Sequence, residues 1–200
     1  MQFKNTTKLF YGEFPYKLVL HHQNIDIDDW YSHMRKTLEY LRDLPKDSYR
    51  VRHLKTLQLF FKLRKDLVNI LDRDHTFAIE VHEPLNKKHY EHLIQNPHCI
   101  TRTTLFWNRY RYKITFNNSE NFTADWFVGF FNDKDPDRYR YGASMAKMIR
   151  SKGKYEYYWC NPVLYLADND DVMLCKLAMN DKIFKIETAI TFDEFKEEKK

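Results

Sequence analysis

Hydrophobic positions along the chain recur with two different periods, and the switches between them mark the elements. Tyr16–His22 (YKLVLHH), entered through Pro15, has the short apolar run of a strand. Asp28 or Asp29 can cap the free N–H groups of a first helical turn, after which Trp30, Met34, Leu38 and Leu41 follow at helical spacing until Pro45. Asp47 or Ser48 opens a second helix to about Asp72. Its stripe is Leu54, Leu57, Phe61, Val68 and Leu71, widened by Phe60, Leu63, Leu67 and Ile70. His75–Glu83 (HTFAIEVHE) then alternates strictly, with Phe77, Ile79 and Val81 on one face and Ala78, Glu80 and His82 on the other.

Asn86 can cap a short helix through Gln95, which Pro97 closes. Arg109–Phe116 alternates again, and the turn Asn117–Asn121 predicts a hairpin with Phe122–Phe131. Asp135-Pro136 introduces a helix over about Asp137–Ser151, stopped by Gly153 and followed by an aromatic strand, Tyr155–Cys160. In the last third, Val163–Ala167 reads as a strand, Asp168 or Asn169 as the cap of a helix over Asp170–Met179, and Lys182–Thr191 as a second strand. That succession is a βαβ unit with its strands parallel. The sum predicts an α+β protein, a ferredoxin-like or related α/β sandwich in a single domain over 1–200. The C-terminal βαβ unit spans about 163–191, and an N-terminal two-helix insertion spans about 28–72. The echo between Phe14–Leu20 (FPYKLVL) and Tyr110–Phe116 (YRYKITF) is too short to mark an internal repeat.

Composition narrows the chemistry. Hydrophobic residues at 43% and aromatics at 16% supply a core, so the chain is not disordered as a whole despite a mean hydropathy of -0.71. Only 4 glycines in 200 residues exclude a Gly-rich phosphate loop, which needs several close backbone approaches. Net charge is +5 and the pI about 8.9, mildly basic. The N-terminus has no apolar signal core and no run approaches the ~18 apolar residues of a membrane span, so a cytoplasmic protein is expected. Three cysteines, Cys99, Cys160 and Cys175, without a paired spacing fit reduced thiols, and the sequons at Asn5, Asn117 and Asn121 carry no weight inside a cell. Few glycines beside many Lys, Asn, Tyr and Phe suggest an A/T-rich coding genome of the phage or viral kind.

The sharpest pattern is Arg109, Arg111 and Lys113 on one face of a predicted strand. At roughly 7 Å apart they approximate the spacing of successive phosphates on a single strand of nucleic acid. Arg102, Arg138, Arg140, Lys147, Arg150, Lys152 and Lys154 add charge, and Tyr155, Tyr157, Tyr158 or Trp107 offer rings on which bases stack. Arg50, Arg52, Lys55, Lys62, Arg64 and Lys65 on the second helix have solvation as their default role. The leading expectation is therefore a protein that binds single-stranded DNA or RNA, a phage or viral replication or expression factor, without cofactor.

A second reading is a metal-dependent nuclease. Glu80 and His82 share a strand face, with His89 and His92 on the following helix and Tyr90 as a nucleophile. The histidine–hydrophobic–histidine and Tyr-x-x-Lys pattern of rolling-circle nucleases is not met, because Tyr110 and Lys113 fall on opposite faces of a strand. His82, His89, His92 and Cys99 lack a standard zinc spacing. Asp168, Asp170 and Asp171 are explained by helix capping. A third reading is a structural or protein-interaction module that associates through its aromatic β surface.

Overall fold

The computed structural model describes residues 1–21, 27–74, 77–117, 125–131, 134–150 and 161–196, with the side chains of 27–34, 74, 125 and 126 outside that description. It is an α+β protein with two five-stranded mixed sheets and, among the described residues, six α-helices. Contacts divide the chain into two compact units, Met1–Pro97 and His98–Lys200. Each unit has its own sheet and its own core.

In the first unit the order along the chain is β1 (Gln2–Asn5), β2 (Tyr16–Leu20), α1 (Ile27–Asp43), β3 (Tyr49–His53), β4 (Leu57–Phe61), α2 (Arg64–Asp74), β5 (Ala78–Glu83) and α3 (Lys87–Gln95). The sheet runs β1-β5-β2-β4-β3, antiparallel except for the parallel pair β1–β5. Period two turns Tyr16, Leu18 and Leu20 of β2 and Leu57, Leu59 and Phe61 of β4 to one face, where Leu41 of α1 and Leu67 and Ile70 of α2 close a core. Burying such side chains is worth roughly 1.5–3 kcal/mol each, which is what holds the helices to the sheet.

The second unit repeats this plan. Its elements are β6 (Cys99–Arg102), β7 (Tyr112–Phe116), α4 (Asp125–Phe131), β8 (Tyr139–Tyr141), α5 (Ala143–Arg150), β9 (Val163–Leu166), α6 (Asn169–Met179) and β10 (Ile183–Thr191). The order β6-β10-β7-β9-β8 matches the first sheet position by position, with β6 parallel to β10 and the other pairs antiparallel. Registers match as well. Leu18 faces Leu59 as Ile114 faces Leu164, and the row Tyr16–Phe61–Tyr49 returns as Tyr112–Leu166–Tyr139. Both final strands carry an irregularity at the same rung, Leu20 to Ala78 and Phe116 to Ile183, so Ile79 and Phe184 are the extra residues. The echo between FPYKLVL and YRYKITF, too short to count in sequence, thus falls on the two equivalent central strands.

Several expected elements are corrected. The second helix from Ser48 is instead the hairpin β3–β4 followed by α2, so the two-helix insertion is a helix, two strands and a helix. Leu57, Leu59 and Phe61 satisfy period two as well as a helical stripe, and pairing with β2 decides between them. The hairpin partner proposed within Phe122–Phe131 is helical over Asp125–Phe131. The helix over Asp137–Ser151 is strand β8 and then α5. Leu38 of the α1 stripe is exposed, while Thr37 and Leu41 are buried. The bulge at Ile79 ends strict alternation in β5, so Ala78 and Val81 face the core together. The β9–α6–β10 unit is as expected, its two parallel strands lying on either side of β7. Tyr155–Cys160 lies outside the described residues. No helix among the described residues is long and apolar enough to cross a membrane.

Both units bury an aspartate in the helix that precedes the last strand. Asp66, five positions after Phe61, accepts from the Tyr40 hydroxyl at 3.0 Å, and that oxygen accepts in turn from Asn69 Nδ2 at 2.9 Å. Asp171, five positions after Leu166, holds Lys134 and takes Arg138 Nε at 3.1 Å and Nη2 at 3.0 Å. Capping does not explain it. Asp168 is the N-cap residue but makes no side-chain cap bond, pairing instead with Arg138 at 3.3 Å. Asp171→Ala is expected to destabilise the second unit by about 2–3 kcal/mol. That is below the ~3–5 of a fully buried pair, because Lys134 and Arg138 keep access to water. Urea unfolding with hydrogen exchange at β9 measures the loss and assigns it to that unit.

Candidate nucleic-acid interface

The face of each sheet opposite the helices is built by the alternate residues of the same strands. In the first unit one cross-strand row reads Lys4–His82–Lys17–Phe60–Arg50, and the next Glu80–Val19–Gln58–Arg52. Neighbours in a row are about 4.8 Å apart across the ladder. In the second unit the rows read Glu187–Lys113–Tyr165–Arg140 and Lys185–Thr115–Val163, with Gly142 following Tyr141 of β8 at the place of Arg52.

A strap crosses this face in both units just before the central strand. Phe10 and Phe14 bridge each other in the first, Phe106 and Tyr110 in the second. Both straps turn through two consecutive residues of positive φ, Tyr11 (54°) and Gly12 (77°), and Trp107 (53°) and Asn108 (60°). The turn lays Phe10 and Tyr11 on Phe60, with centroids 5.4 and 5.0 Å apart, and Phe106 and Trp107 on Tyr165, at 5.6 and 6.2 Å. An arginine then stacks on each strap aromatic: Arg50 on Tyr11 and Arg140 on Trp107, each with its guanidinium carbon 3.9 Å from the ring centroid. Tyr11 and Trp107 remain exposed.

The two faces differ in charge. In the second unit Lys113 donates to Glu187 at 3.1 Å and Lys185 donates to the same carboxylate at 2.6 Å. Burial raises the affinity of Glu187 for a proton, but these hydrogen bonds outweigh it and hold the carboxyl below its usual range. In the first unit the position of Glu187 is His82, whose ring burial keeps neutral by pushing its pKa down. Lys17 sits over Phe10 and Phe60, its nitrogen 5.6 and 5.9 Å from the centroids. Burial lowers its pKa; Glu80 opposes this, while Lys4 and Arg52 reinforce it. Glu80 is engaged by Lys4 and lies 3.1 Å from His82 Nε2, and hydrogen bonding from Lys4 first and His82 next keeps it ionised. Among the described residues, Lys8, Lys17, Arg50 and Arg52 have no carboxylate at ion-pair distance.

The residues expected at a nucleic-acid interface are placed differently. Arg109 and Arg111 belong to the strap and its exit, so of the three cations only Lys113 lies in β7. The strand is shorter than its alternation because the chain turns back at Trp107–Asn108. All three cations also have carboxylates: Arg109 pairs with Asp137 through two bonds, one of 2.8 Å, and Arg111 reaches Glu194 at 3.3 and 3.4 Å. Arg102 lies over the Phe106 ring at 4.7 Å, and its Nε donates to the Thr104 carbonyl. Arg138 is held by Asp168 and Asp171, Arg140 by Trp107, and Lys147 is on α5. Tyr155 and Tyr157, with Lys152, Lys154 and Tyr158, lie outside the described residues.

The nuclease constellation is not assembled. Tyr90 of α3 stacks on Tyr16, at 6.2 Å, and Tyr16 faces the helices, whereas Glu80 and His82 lie on the opposite sheet face. His89 is buried, its Nδ1 accepts from the Leu85 N–H at 3.0 Å, and burial depresses its pKa to about 4. Among the described residues no group of three or more His, Cys, Asp or Glu is placed to hold a metal ion.

The first-unit face is hidden in the sequence for identifiable reasons. Arg50 and Arg52 fall in what reads as a solvated helix, and Lys8 and Tyr11 lie in a stretch with no periodic signal. The one available signal was Lys17 inside an otherwise apolar strand. Compared with protein-family models, curated proteins and solved structures, the chain matches none.

Proposed function

We propose that this chain binds single-stranded nucleic acid, DNA or RNA, through the strap-bearing face of its first sheet, opposite the helices. The observation that carries the reading is the set Lys8, Lys17, Arg50 and Arg52, cations without carboxylate partners grouped around the exposed ring of Tyr11. Basic side chains track a phosphate backbone, and an exposed aromatic takes a base regardless of its identity. The strand order supports reading each unit as a ferredoxin-like sandwich: β2-α1-β3-β4-α2-β5 in the order β5-β2-β4-β3, with β1 added at the edge. Analogy with RNA-recognition modules, which present a four-stranded sheet to single strands, favours the same face. Free Cys99 and buried Cys175 suit a reducing compartment such as the cytoplasm.

Fluorescence anisotropy with labelled single-stranded DNA and RNA across salt concentrations tests this. Neutralising about four phosphates gives a slope of log K against log salt near -3, at roughly -0.7 per contact. Arg52→Ala and Lys17→Met should each weaken binding several-fold for all sequences and reduce the slope by about 0.7. Arg109→Ala and Arg111→Ala, which remove cations already paired, should change little. Tyr11→Ala should cost about 1–3 kcal/mol of stacking with the slope unchanged. Absence of binding at low salt, or binding with no slope, overturns the reading. Cleavage that needs Mg²⁺ or Mn²⁺ and disappears in Glu80→Ala would replace it with the nuclease.

A further inference from the structure

Between the strap and the first sheet lies a cavity of about 260 Å³ whose lining includes Lys8, Phe10, Lys17, Arg52, Gln58 and Phe60 and no carboxylate. Its volume falls below the ~300–1,000 Å³ of sites that enclose a whole small molecule, so it suits one oxyanion group. The Lys17 ammonium lies over the adjoining rings of Phe10 and Phe60, 5.6 and 5.9 Å from their centroids. The Gln58 amide, 3.5 Å from Thr56 Oγ1, adds a neutral donor. Glu80, the nearest acid to Lys17 in register, is occupied by Lys4 and His82.

The second unit is an internal control. It covers its sheet with the same strap, but has Thr104 for Lys8, Gly142 for Arg52 and Glu187 for His82, and Lys113, at the place of Lys17, is bound by that glutamate. The fold therefore does not need Lys8 or Arg52, nor an unneutralised lysine in the central strand, and something other than strap packing accounts for them. We propose that this cavity is a phosphate-binding pocket that seats one phosphate group of the bound strand, either a terminal phosphate or one within the backbone. The proposal rests on the nucleic-acid reading for the source of the phosphate, but the pocket's chemistry is testable without it.

Calorimetric titration of the full chain with inorganic phosphate, against chloride at matched ionic strength, is the first arm. Saturable binding is expected, weakened about tenfold in Arg52→Gln and in Lys17→Met, abolished in His82→Glu and unchanged in Lys113→Met. Circular dichroism identifies any variant that fails to fold, and the two conservative substitutions keep the test sound if His82→Glu does. The second arm compares oligonucleotides with and without a 5′ or 3′ phosphate. A terminal phosphate that tightens binding at least fivefold identifies the end as the ligand, whereas equal affinity with competition by inorganic phosphate identifies the backbone. Phosphate binding without oligonucleotide binding keeps the pocket and removes the nucleic-acid reading. Salt-dependent oligonucleotide binding that phosphate neither accompanies nor competes with overturns the pocket and leaves the interface. Phosphate binding indifferent to all three substitutions also overturns it.

Discussion

A charged side chain in a central strand is the constraint around which both units are arranged. In β2 every residue but Lys17 is buried, Val19 on the strap side as well as Tyr16, Leu18 and Leu20 on the helix side. An ammonium there loses much of its hydration, and the protein must supply a substitute. The second unit supplies a carboxylate, Glu187, which Lys113 shares with Lys185. The first supplies two ring faces and a neutral imidazole, which stabilise the stem and part of the charge but cancel none of it. The greater positive charge of the first face follows from that difference together with Lys8 and Arg52, whose places hold Thr104 and Gly142 in the second unit.

The strap is the second half of the same solution. An antiparallel sheet usually leaves one face to water, and here aromatic side chains partly exclude it. Aromatic cover requires a tight reversal, and the reversal requires left-handed backbone at Tyr11 and Trp107, where bulky side chains rarely sit. Such strain persists where surrounding contacts over-determine it, and the ring contacts with Phe60 and Tyr165 together with the stacked arginines do so. Cover for the sheet and an exposed ring stacked on an arginine are thus provided by the same two residues.

What was legible in the sequence followed from strong local signals. The Asn86 cap, the β9–α6–β10 unit and the apolar run of β2 match the structure, while β7 keeps only Tyr112–Phe116 of the expected Arg109–Phe116. The hairpin β3–β4 did not, because its apolar spacing satisfies both periods and only pairing with β2 distinguishes them. The repetition of the plan was hidden because burial, not identity, is what the two units share: Leu59 and Leu164 coincide, but Phe61 answers to Leu166 and Thr37 to Phe127. Charge was misread for a related reason. Arg109, Arg111 and Lys113 form a conspicuous string, and their partners Asp137, Glu194 and Glu187 are far away in the chain. The cations left unneutralised are scattered over a strap and two strands and look like nothing in a row of letters.

Gly142 gives this asymmetry a direction. It occupies the place of Arg52, and a Cβ there would come within 3.0 Å of the Val163 Cβ and 3.1 Å of the Val163 carbonyl oxygen. Any side chain would press on Val163, which would have to give by a few tenths of an ångström before an arginine could be seated. One substitution, His82 to an acid, would give Lys17 the carboxylate partner that Lys113 has in the second unit. The reverse passage needs Val163 to yield as well as a charge to change, so the two halves are not equally open to exchange of their charge patterns.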